Sequence, residues 1–453
     1  MAKKKTVFTC LNCGYNSSKW LGRCPSCGEY NTFTEEETFE RKSNDTYRHF
    51  DNSFLAPITE IKKDEEERLK TGIAEIDRVF GGGIVKGSLS LIGGEPGAGK
   101  STLALTIADK LANSGIKVLY VSAEESANQI KMRADRINSK SEMLLLAIET
   151  EVEKIVGIIN KENPGLVIID SIQTVYKQEV DSVAGSINQV RESCAHFLYA
   201  AKSTNIPIMI IGHVTKEGMI AGPKMLEHIV DAVMYFEAEK YYKLKILRAV
   251  KNRFGSTNEI GIFEMTEDGI KEVNSPSKLF IEISDKAKSG SSVITLMEGT
   301  RPILIELQAL TSRRSFGIPQ RTVTGVDYNR LLLIIAILER KLNVNLENQD
   351  IFINVTGGLK VFETGADLGI AASIYSSFRN VPISPKMIFI GELGLDGEVR
   401  TVMFMESRIQ EAERLGFLKC VIPEKAGNVN TRMEIIKIKN VSDLKKIITE
   451  TPD

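Results

Sequence analysis

The stretch GGEPGAGKST, from Gly93 to Thr102, constrains the fold of this chain more than any other. It contains the pattern Gly-x4-Gly-Lys-Ser and stands directly between a strand-like run and an amphipathic helical pattern. In that setting backbone N–H groups converge on phosphate oxygens, and the following helix presents its positive end. We therefore predict a nucleotide site in which Lys100 reaches the phosphates and Ser101 ligates Mg²⁺. The loop residues are Gly94, Glu95, Pro96, Gly97, Ala98, Gly99, Lys100, Ser101 and Thr102.

Nucleotide hydrolysis needs further groups, because a carboxylate must lie beside the Mg²⁺ ion and another group must orient the attacking water. The apolar run GLVIID ends at Asp170, which we predict lies beside Mg²⁺; the alternative is a cap on the next turn. The run VLYVS ends just before Glu124 and Glu125. We predict that Glu124 polarises the attacking water, although a solvated carboxylate at a helix start fits the same position. A third run, IPIMIIGH, ends at His213, either a γ-phosphate sensor or a structural histidine.

The order of apolar runs indicates several domains. From Thr71 onward, short β-rich runs alternate with helical patterns, one of them from Val183 to Asn205, which predicts a parallel sheet flanked by helices. Runs between Asp231 and Lys271 are separated by turn signals and are expected to extend this sheet as antiparallel strands. We divide the chain into a cysteine-rich head (6–34), a charged linker (35–70), an α/β core (71–275) and a mixed α+β region (276–453).

Composition excludes some general partners. The 453 residues carry a formal net charge of −1, so the total charge predicts no overall attraction to nucleic acid or to an anionic membrane. The first residues, MAKKKTVFTC, pass from three lysines into polar sequence, without an apolar stretch of signal-peptide or membrane-helix length. We expect a cytoplasmic protein with no membrane partner.

The head contains two matched cysteine pairs, Cys10-x2-Cys13 and Cys24-x2-Cys27, each followed by a glycine. Two such knuckles are typical of a closed tetrahedral Zn²⁺ site, which disfavours the alternative of a redox pair. A head this small has little apolar core, so the metal is expected to supply much of its fold. Trp20, between the knuckles, would either contact DNA or a partner protein, or pack over the zinc.

Together these motifs resemble the RadA family, also called Sms, of bacterial DNA-repair ATPases in the RecA superfamily. The resemblance rests on TGIAEIDRVFGGGIVKGSLSLIGGEPGAGKST, Glu124, VIIDSIQTV and the pentapeptide KNRFG at 251–255, and it spans the whole chain. It implies a RecA-like P-loop core that uses ATP, Mg²⁺ and Zn²⁺. It further implies a hexameric ring that binds single-stranded DNA, hydrolyses ATP and drives branch migration of recombination intermediates alongside RecA.

Within such a ring, the cationic KNRFG turn acquires a role. Lys251 or Arg253 would cross a subunit interface and reach the neighbour's γ-phosphate, while Phe254 and Gly255 shape the turn. Without a ring, the same residues form a solvated surface loop.

DNA contact by a near-neutral chain requires local positive charge. Two loops of the core and one stretch of the third region supply cations, but none shows the alternating aromatic pattern of a base-stacking platform. The candidates are Lys177, Lys216, Lys224, Arg313 and Arg314, with Arg321 and Arg330 close to the last two in sequence.

From about Ser291 the chain resembles the Lon protease domain, whose active members use a Ser-Lys dyad. Asp367 occupies the position of the serine and Glu406 that of the lysine, so the resemblance implies a peptidase-inactive scaffold. Two other functions remain open alongside a DNA motor. One is an ATP-dependent protease, which casein degradation would reveal; the other is a KaiC-like regulator, which DNA stimulation of ATP turnover would exclude.

Overall fold

The computed structural model describes residues 4–10, 16–25, 28–39, 57, 59, 67–213, 226–238, 244–281, 286–314 and 317–449. The chain divides into two compact units, Met1–Val273 and Asn274–Asp453. Across these described ranges, no helix combines the length and apolar character that a membrane span requires.

The head is a small antiparallel sheet. Strand β1 (Lys4–Cys10) pairs with β2 (Asn16–Ser17) on one side and with β3 (Phe33–Phe39) on the other. Cys10, Cys24 and Phe33 are buried together, and this minimal apolar centre agrees with a fold that depends on a metal.

The core of the first unit is one mixed sheet of nine strands among the described residues. The strands of the core are β4 Arg68–Leu69, β5 Ile84–Val85, β6 Leu89–Gly94, β7 Val118–Ser122, β8 Leu144–Ile148, β9 Leu166–Asp170, β10 Ile208–His213, β11 Ala232–Ala238, β12 Leu244–Asn252, β13 Ile260–Thr266 and β14 Gly269–Glu272. In sheet order, β14, β13, β12 and β11 form an antiparallel edge, followed by the parallel strands β6, β10, β9, β7 and β8. This confirms the predicted parallel sheet with its antiparallel extension.

Helices cover both faces of this sheet. They are α1 Ala74–Val79, α2 Lys100–Asn113, α3 Ala127–Arg136, α4 Val152–Glu162 and α5 Ile187–Thr204. Successive strand residues point to opposite faces, so Tyr120 and Ile168 pack on the side of α2, whereas Leu119 and Val167 pack on the side of α4 and α5. Burial on both faces explains why the central strands are continuous apolar runs.

Helix α5 begins later than the sequence suggests. The expected start at Val183 is wrong, because Gly185 has φ +83° and the Ser186 side chain caps the helix by accepting from the Gln189 N–H. The residues between Asp170 and Ser186 therefore form a long connection at the carboxyl edge of the sheet.

The second unit has an α+β architecture, as predicted. Its strands are β15 Lys288–Ser289, β16 Ser291–Glu298, β17 Arg301–Arg313, β18 Arg321–Thr324, β19 Gln349–Val355, β20 Pro382–Ile383, β21 Met387–Phe389, β22 Glu392–Leu393, β23 Val399–Arg400, β24 Lys419–Pro423 and β25 Glu434–Ile438. Seven of these described strands form one sheet in the order β18, β19, β17, β16, β21, β24 and β25. The helices are α6 Ser277–Phe280, α7 Tyr328–Leu342, α8 Asp367–Arg379, α9 Met405–Arg414 and α10 Leu444–Thr449.

Candidate active site

The phosphate loop joins the buried strand β6 to helix α2. Gly94 and Gly99 both have positive φ, +158° and +103°, and a Cβ at either would meet a neighbour. At Gly94 that Cβ would lie 2.3 Å from the Phe236 carbonyl oxygen, and at Gly99 2.6 Å from the Met265 Cε. Gly94 thus has no space for a side chain beside the Phe236 backbone. At Gly99 the neighbour is the flexible end of Met265, so the positive φ is what favours glycine there. The N–H groups at the start of α2 are left for a phosphate group.

Lys100, the first residue of α2, is 3% exposed and lies at the centre of the loop. Its ammonium donates to the carbonyl oxygens of Gly94 and Glu95, each at 2.9 Å, and to His213 Nδ1 at 3.1 Å. Burial lowers the pKa of Lys100, while the negative charges of Asp170 and Glu124 oppose this shift. The predicted lysine and both predicted carboxylates therefore share one electrostatic environment.

Asp170 ends strand β9 on the face that α2 covers. It is 5% exposed, and in the parallel register it pairs with Ser122 at the end of β7. Its Oδ2 accepts a hydrogen bond from the Tyr120 hydroxyl at 2.6 Å. The side chain of an ionised aspartate offers only acceptors, so it suits a place beside a metal cation.

The two neighbouring glutamates after β7 have different surroundings. Glu125 forms a two-pronged ion pair with Arg133 of α3, with distances of 2.8 and 2.7 Å. Glu124 instead turns towards the carboxyl edge of the sheet, where its Oε2 accepts from Ser171 Oγ at 3.1 Å and lies 3.4 Å from His213 Nε2. Glu124 is thus the glutamate placed near the phosphate loop, the one predicted to polarise water.

His213 connects the lysine to this glutamate. An ammonium only donates hydrogen bonds, so Nδ1 must be an acceptor towards Lys100, and in the neutral ring Nε2 then carries the proton that faces Glu124. The His213 carbonyl oxygen also accepts from Gln173 Nε2 at 3.3 Å. Three parallel strands therefore deliver Lys100, Glu124 and His213 to a single polar cluster.

The residues present suit ATP with Mg²⁺. Ser101 follows Lys100 at the start of α2, and the Asp170 carboxylate lies near enough to influence the Lys100 charge. A hydroxyl and a carboxylate are oxygen groups of the kind that Mg²⁺ uses beside phosphate oxygens. Ser101 and Asp170 are accordingly the residues that would serve the metal.

In the KNRFG turn, both predicted finger cations contact their own chain. The Lys251 ammonium donates to the carbonyl oxygens of Glu227 and, at 2.9 Å, of Val230. Burial lowers the pKa of Lys251, and the nearby Arg253 lowers it further. Arg253 has a side chain that is 55% exposed and reaches Asp231 Oδ1 at 3.4 Å. Of the two, Arg253 is the more accessible to another molecule.

The remaining residues of the turn fasten it to the core. Asn252 Nδ2 donates to the Val79 carbonyl oxygen at 3.3 Å, and Arg68 Nη2 donates to the Phe254 carbonyl oxygen at 2.8 Å. A Cβ on Gly255 would lie 3.1 Å from the Cα of Gly81, so the glycine permits the turn to approach the loop after α1. The predicted shaping role of Phe254 and Gly255 agrees with these contacts.

Asp231 is a buried carboxylate beneath this turn, 3% exposed. It accepts from the Leu89 N–H at 3.1 Å and forms an ion pair with Lys202 Nζ at 3.2 Å, in addition to its contact with Arg253. The Lys202 ammonium also lies 5.9 Å from the centroid of the Phe254 ring. Because Leu89 begins β6, Asp231 joins the KNRFG turn to the strand that carries the phosphate loop.

The predicted DNA-contacting cations differ in accessibility. Lys177 pairs with Glu179 at 3.2 Å and its side chain is only 19% exposed. Lys216 and Lys224 lie outside the described residues. Arg314 pairs with Asp350 at 3.1 Å, whereas Arg313, at the end of β17, is exposed.

The other two arginines of the third region have structural contacts. Arg321 donates to the carbonyl oxygens of Gln349 and, at 2.9 Å, of Leu346. Arg330 forms a two-pronged ion pair with the buried Asp367. The four arginines are therefore not a continuous exposed strip.

In the head, one predicted zinc ligand of each pair lies in the described residues. Cys10 and Cys24 are both buried in the small apolar centre, while Cys13 and Cys27 lie outside the described residues. Gly28 has φ +78° and donates its N–H to the Cys24 carbonyl oxygen at 2.9 Å, which forms the tight turn expected of a knuckle. This arrangement suits Zn²⁺. Trp20 is 53% exposed.

The residues at the two peptidase positions have separate partners. Asp367 begins α8, is 1% exposed and also accepts from the Leu393 N–H at 3.1 Å, besides pairing with Arg330. Glu406, in the first turn of α9, accepts from Gln410 at 3.3 Å. Neither residue type supplies a nucleophile paired with a base of the Ser-Lys kind.

Sequence reasoning missed the residues that hold these groups in place: Tyr120, Arg133, Ser171, Lys202 and Asp231. For Tyr120 a signal exists, because it precedes Ser122 by two residues and so shares the face of β7 that adjoins Asp170. Asp231 and Lys202 contact each other from distant parts of the chain, and no local pattern indicates that pairing.

Three parts of the chain match models of known protein families. Residues 8–35 match a rubredoxin metal binding domain, residues 56–219 an AAA domain, and residues 316–426 the subunit ChlI of Mg-chelatase. They correspond in order to a zinc-ribbon head, a P-loop ATPase core and a Lon-like second unit.

Curated relatives match over almost the whole length. The chain is 50% identical to the DNA repair protein RadA of Halalkalibacterium halodurans, over 98% of both chains. It is also 50% identical to the DNA repair protein RadA of Bacillus subtilis, again over 98% of both. Among solved structures, the RadB recombinase is 25% identical with a TM-score of 0.37, covering 46% of this chain and 100% of that one.

Proposed function

This chain belongs to the RadA family of DNA repair proteins, and we propose that it is a DNA-dependent ATPase whose hydrolysis cycle drives movement along single-stranded DNA. In this proposal it acts in recombinational repair, moving the branch point of recombination intermediates alongside RecA. Its P-loop core is that of an ATP hydrolase. The observation that best supports a coupled motor is the polar cluster that joins Lys100, His213 and Glu124.

In the proposed cycle, the loop N–H groups and Lys100 bind the phosphates. Lys100 must then exchange its carbonyl and His213 partners for phosphate oxygens, because its three N–H groups already have three acceptors. Ser101 and Asp170 would hold Mg²⁺, which would supply positive charge beside the phosphate oxygens. Glu124 orients the attacking water, and Ser171 keeps its carboxylate directed to the site.

His213 gives this cycle a route to DNA. When Lys100 leaves Nδ1, the ring loses one of its two side-chain partners and keeps the other, Glu124, so its orientation is free to change. His213 is also the last residue of β10, directly before the segment that contains Lys216 and Lys224. The proposal is that phosphate occupancy at Lys100 alters this segment and thereby the grip on the DNA backbone.

A ring completes the site. Arg253, exposed on a turn fastened by Arg68 and Asn252, is suited to reach the γ-phosphate bound by an adjacent subunit. Lys251 would have to leave the Glu227 and Val230 carbonyl oxygens to do the same. We therefore assign the trans contact first to Arg253 and place six such subunits in a closed ring.

The proposal is tested by ATP turnover with and without single-stranded DNA. Lys100→Ala should abolish turnover, because it removes the cation from the phosphate loop. Lys110→Ala is the matched control, since Lys110 is an exposed lysine in the last turn of the same helix, and it should keep the wild-type rate.

Single-stranded DNA should raise the turnover of the wild type and of the control. Wild-type turnover that ignores DNA at every salt concentration would contradict a DNA motor and favour a nucleotide-gated regulator. Full activity of Lys100→Ala would contradict the assigned site itself.

A further inference from the structure

We propose that Tyr120 is a positioning residue for magnesium: its hydroxyl holds the Asp170 carboxylate in the orientation that serves the metal. The contact is direct, with 2.6 Å between the Tyr120 oxygen and Asp170 Oδ2. It lies within the ATPase core, between two neighbouring parallel strands. The inference rests on the proposed ATP site and deepens it.

The sheet register creates this contact. Ser122 of β7 lies opposite Asp170 of β9, and Tyr120 lies opposite Ile168, so Tyr120 and Asp170 are diagonal neighbours on one face. An aromatic side chain is long enough to span such a diagonal. A smaller polar residue at 120 would not reach the carboxylate.

The hydrogen bond is buried and its direction is fixed. Tyr120 is 1% exposed and Asp170 5% exposed. The phenol hydroxyl donates and Asp170 accepts, because a carboxylate offers only acceptors. Among the described residues, Tyr120 is the side chain that donates a hydrogen bond to the Asp170 carboxylate, and its hydroxyl contacts only Oδ2.

The hydrogen bond occupies only one of the two carboxylate oxygens. Tyr120 holds Oδ2, so Oδ1 is left for the metal. Lys100 has its own three partners, the carbonyl oxygens of Gly94 and Glu95 and His213 Nδ1. The consequence of losing the hydroxyl should thus be weaker metal binding rather than loss of nucleotide binding.

Tyr120→Phe removes the hydroxyl and keeps the ring that packs against α2. A hydrogen bond to a charged group typically changes an equilibrium by about tenfold or more. We expect the dissociation constant for Mn²⁺, measured by electron paramagnetic resonance with a non-hydrolysable ATP analogue, to rise about tenfold. The Mg²⁺ concentration for half-maximal ATP turnover should rise by a similar factor.

Two comparisons separate positioning from a packing defect. Binding of a fluorescent ATP analogue in excess chelator should match the wild type, because Lys100 and the loop are untouched. Tyr375→Phe, which alters another buried tyrosine in the second unit, should leave both metal readouts unchanged.

A double-variant cycle gives the decisive result. In an Asp170→Asn background, the further change Tyr120→Phe should weaken Mn²⁺ binding much less than it does in the wild type. Equal weakening in both backgrounds, or an unchanged Mn²⁺ affinity in Tyr120→Phe, would overturn the inference. Should the wild type lack DNA-stimulated turnover, the proposed motor fails, but the Mn²⁺ measurement still decides the role of Tyr120.

Discussion

Replacing one of two adjacent glutamates distinguishes a catalytic carboxylate from a structural one. In Glu124→Gln, the amide oxygen still accepts from Ser171, at the 3.1 Å contact, so the local structure should persist. What disappears is the negative charge that attracts a proton of water and that faces His213 Nε2. A positioned general base typically accelerates a reaction about 10²–10⁴-fold, so the kcat for ATP hydrolysis should decrease by a factor of that size.

Glu125→Gln is the matched control because it makes the same chemical change one residue away. It breaks the ion pair with Arg133, whose side chain is 24% exposed, and leaves the Lys100–His213–Glu124 cluster intact. A partly exposed ion pair of this kind is worth about 1 kcal/mol, which corresponds to a melting-temperature decrease of about 2–4 °C for a domain of this size. Its kcat should remain within about twofold of the wild type, because the Glu125 carboxylate is not one of the proposed catalytic groups.

Steady-state ATP turnover and thermal unfolding of the full chain provide both readouts. We expect Glu124→Gln to lower kcat without lowering the melting temperature, and Glu125→Gln to lower the melting temperature without lowering kcat. The KM for ATP should change little in either variant, because neither glutamate touches Lys100. If Glu125→Gln abolished turnover while Glu124→Gln retained it, the assignment of the water-orienting residue would be wrong.

Two further predictions concern the ring and the head. Arg253→Ala should bind ATP normally yet hydrolyse it slowly. Mixing it with Lys100→Ala should restore some turnover, because a Lys100→Ala subunit then supplies an intact Arg253 to the intact phosphate loop of an Arg253→Ala subunit. Absence of any recovery in mixed assemblies would argue against a trans contact. Cys24→Ser should release Zn²⁺ and unfold the head while leaving basal ATP turnover intact, and metal analysis that still finds one zinc per chain would refute the four-cysteine site.

The sequence predicted best where a rule is local. The phosphate loop requires glycines at fixed spacing, and Gly94 and Gly99 have the positive φ and the close neighbours that such a loop demands. Asp170 and Glu124 were predicted from the ends of apolar runs, and parallel strands do bring those ends to one edge of the sheet. Their catalytic roles remain predictions, but their placement follows from strand periodicity.

Contacts between distant parts of the chain were beyond these rules. The arginines that crowd together in the sequence of the third region separate in the structure, because Arg330 is drawn to the buried Asp367 while Arg321 caps carbonyl groups. Lys177 similarly lies close to Glu179. Whether a lysine or arginine is accessible to DNA depends on such partners, and residue type alone does not reveal them.

Asp231 connects the strand before the phosphate loop with the KNRFG turn of the same subunit. Its carboxylate binds the Leu89 N–H at the start of β6, and its carbonyl oxygen accepts from the Arg253 N–H at 3.1 Å. Strand β6 leads into the loop that binds the subunit's own nucleotide, while Arg253 is the proposed contact to the neighbour's nucleotide. A buried carboxylate with several partners resists displacement, because moving it would leave charges and N–H groups unpaired. If the proposed ring forms, a shift of the phosphate-loop strand in one subunit would therefore move the finger that this subunit is proposed to extend to the next, and this would connect hydrolysis at neighbouring sites.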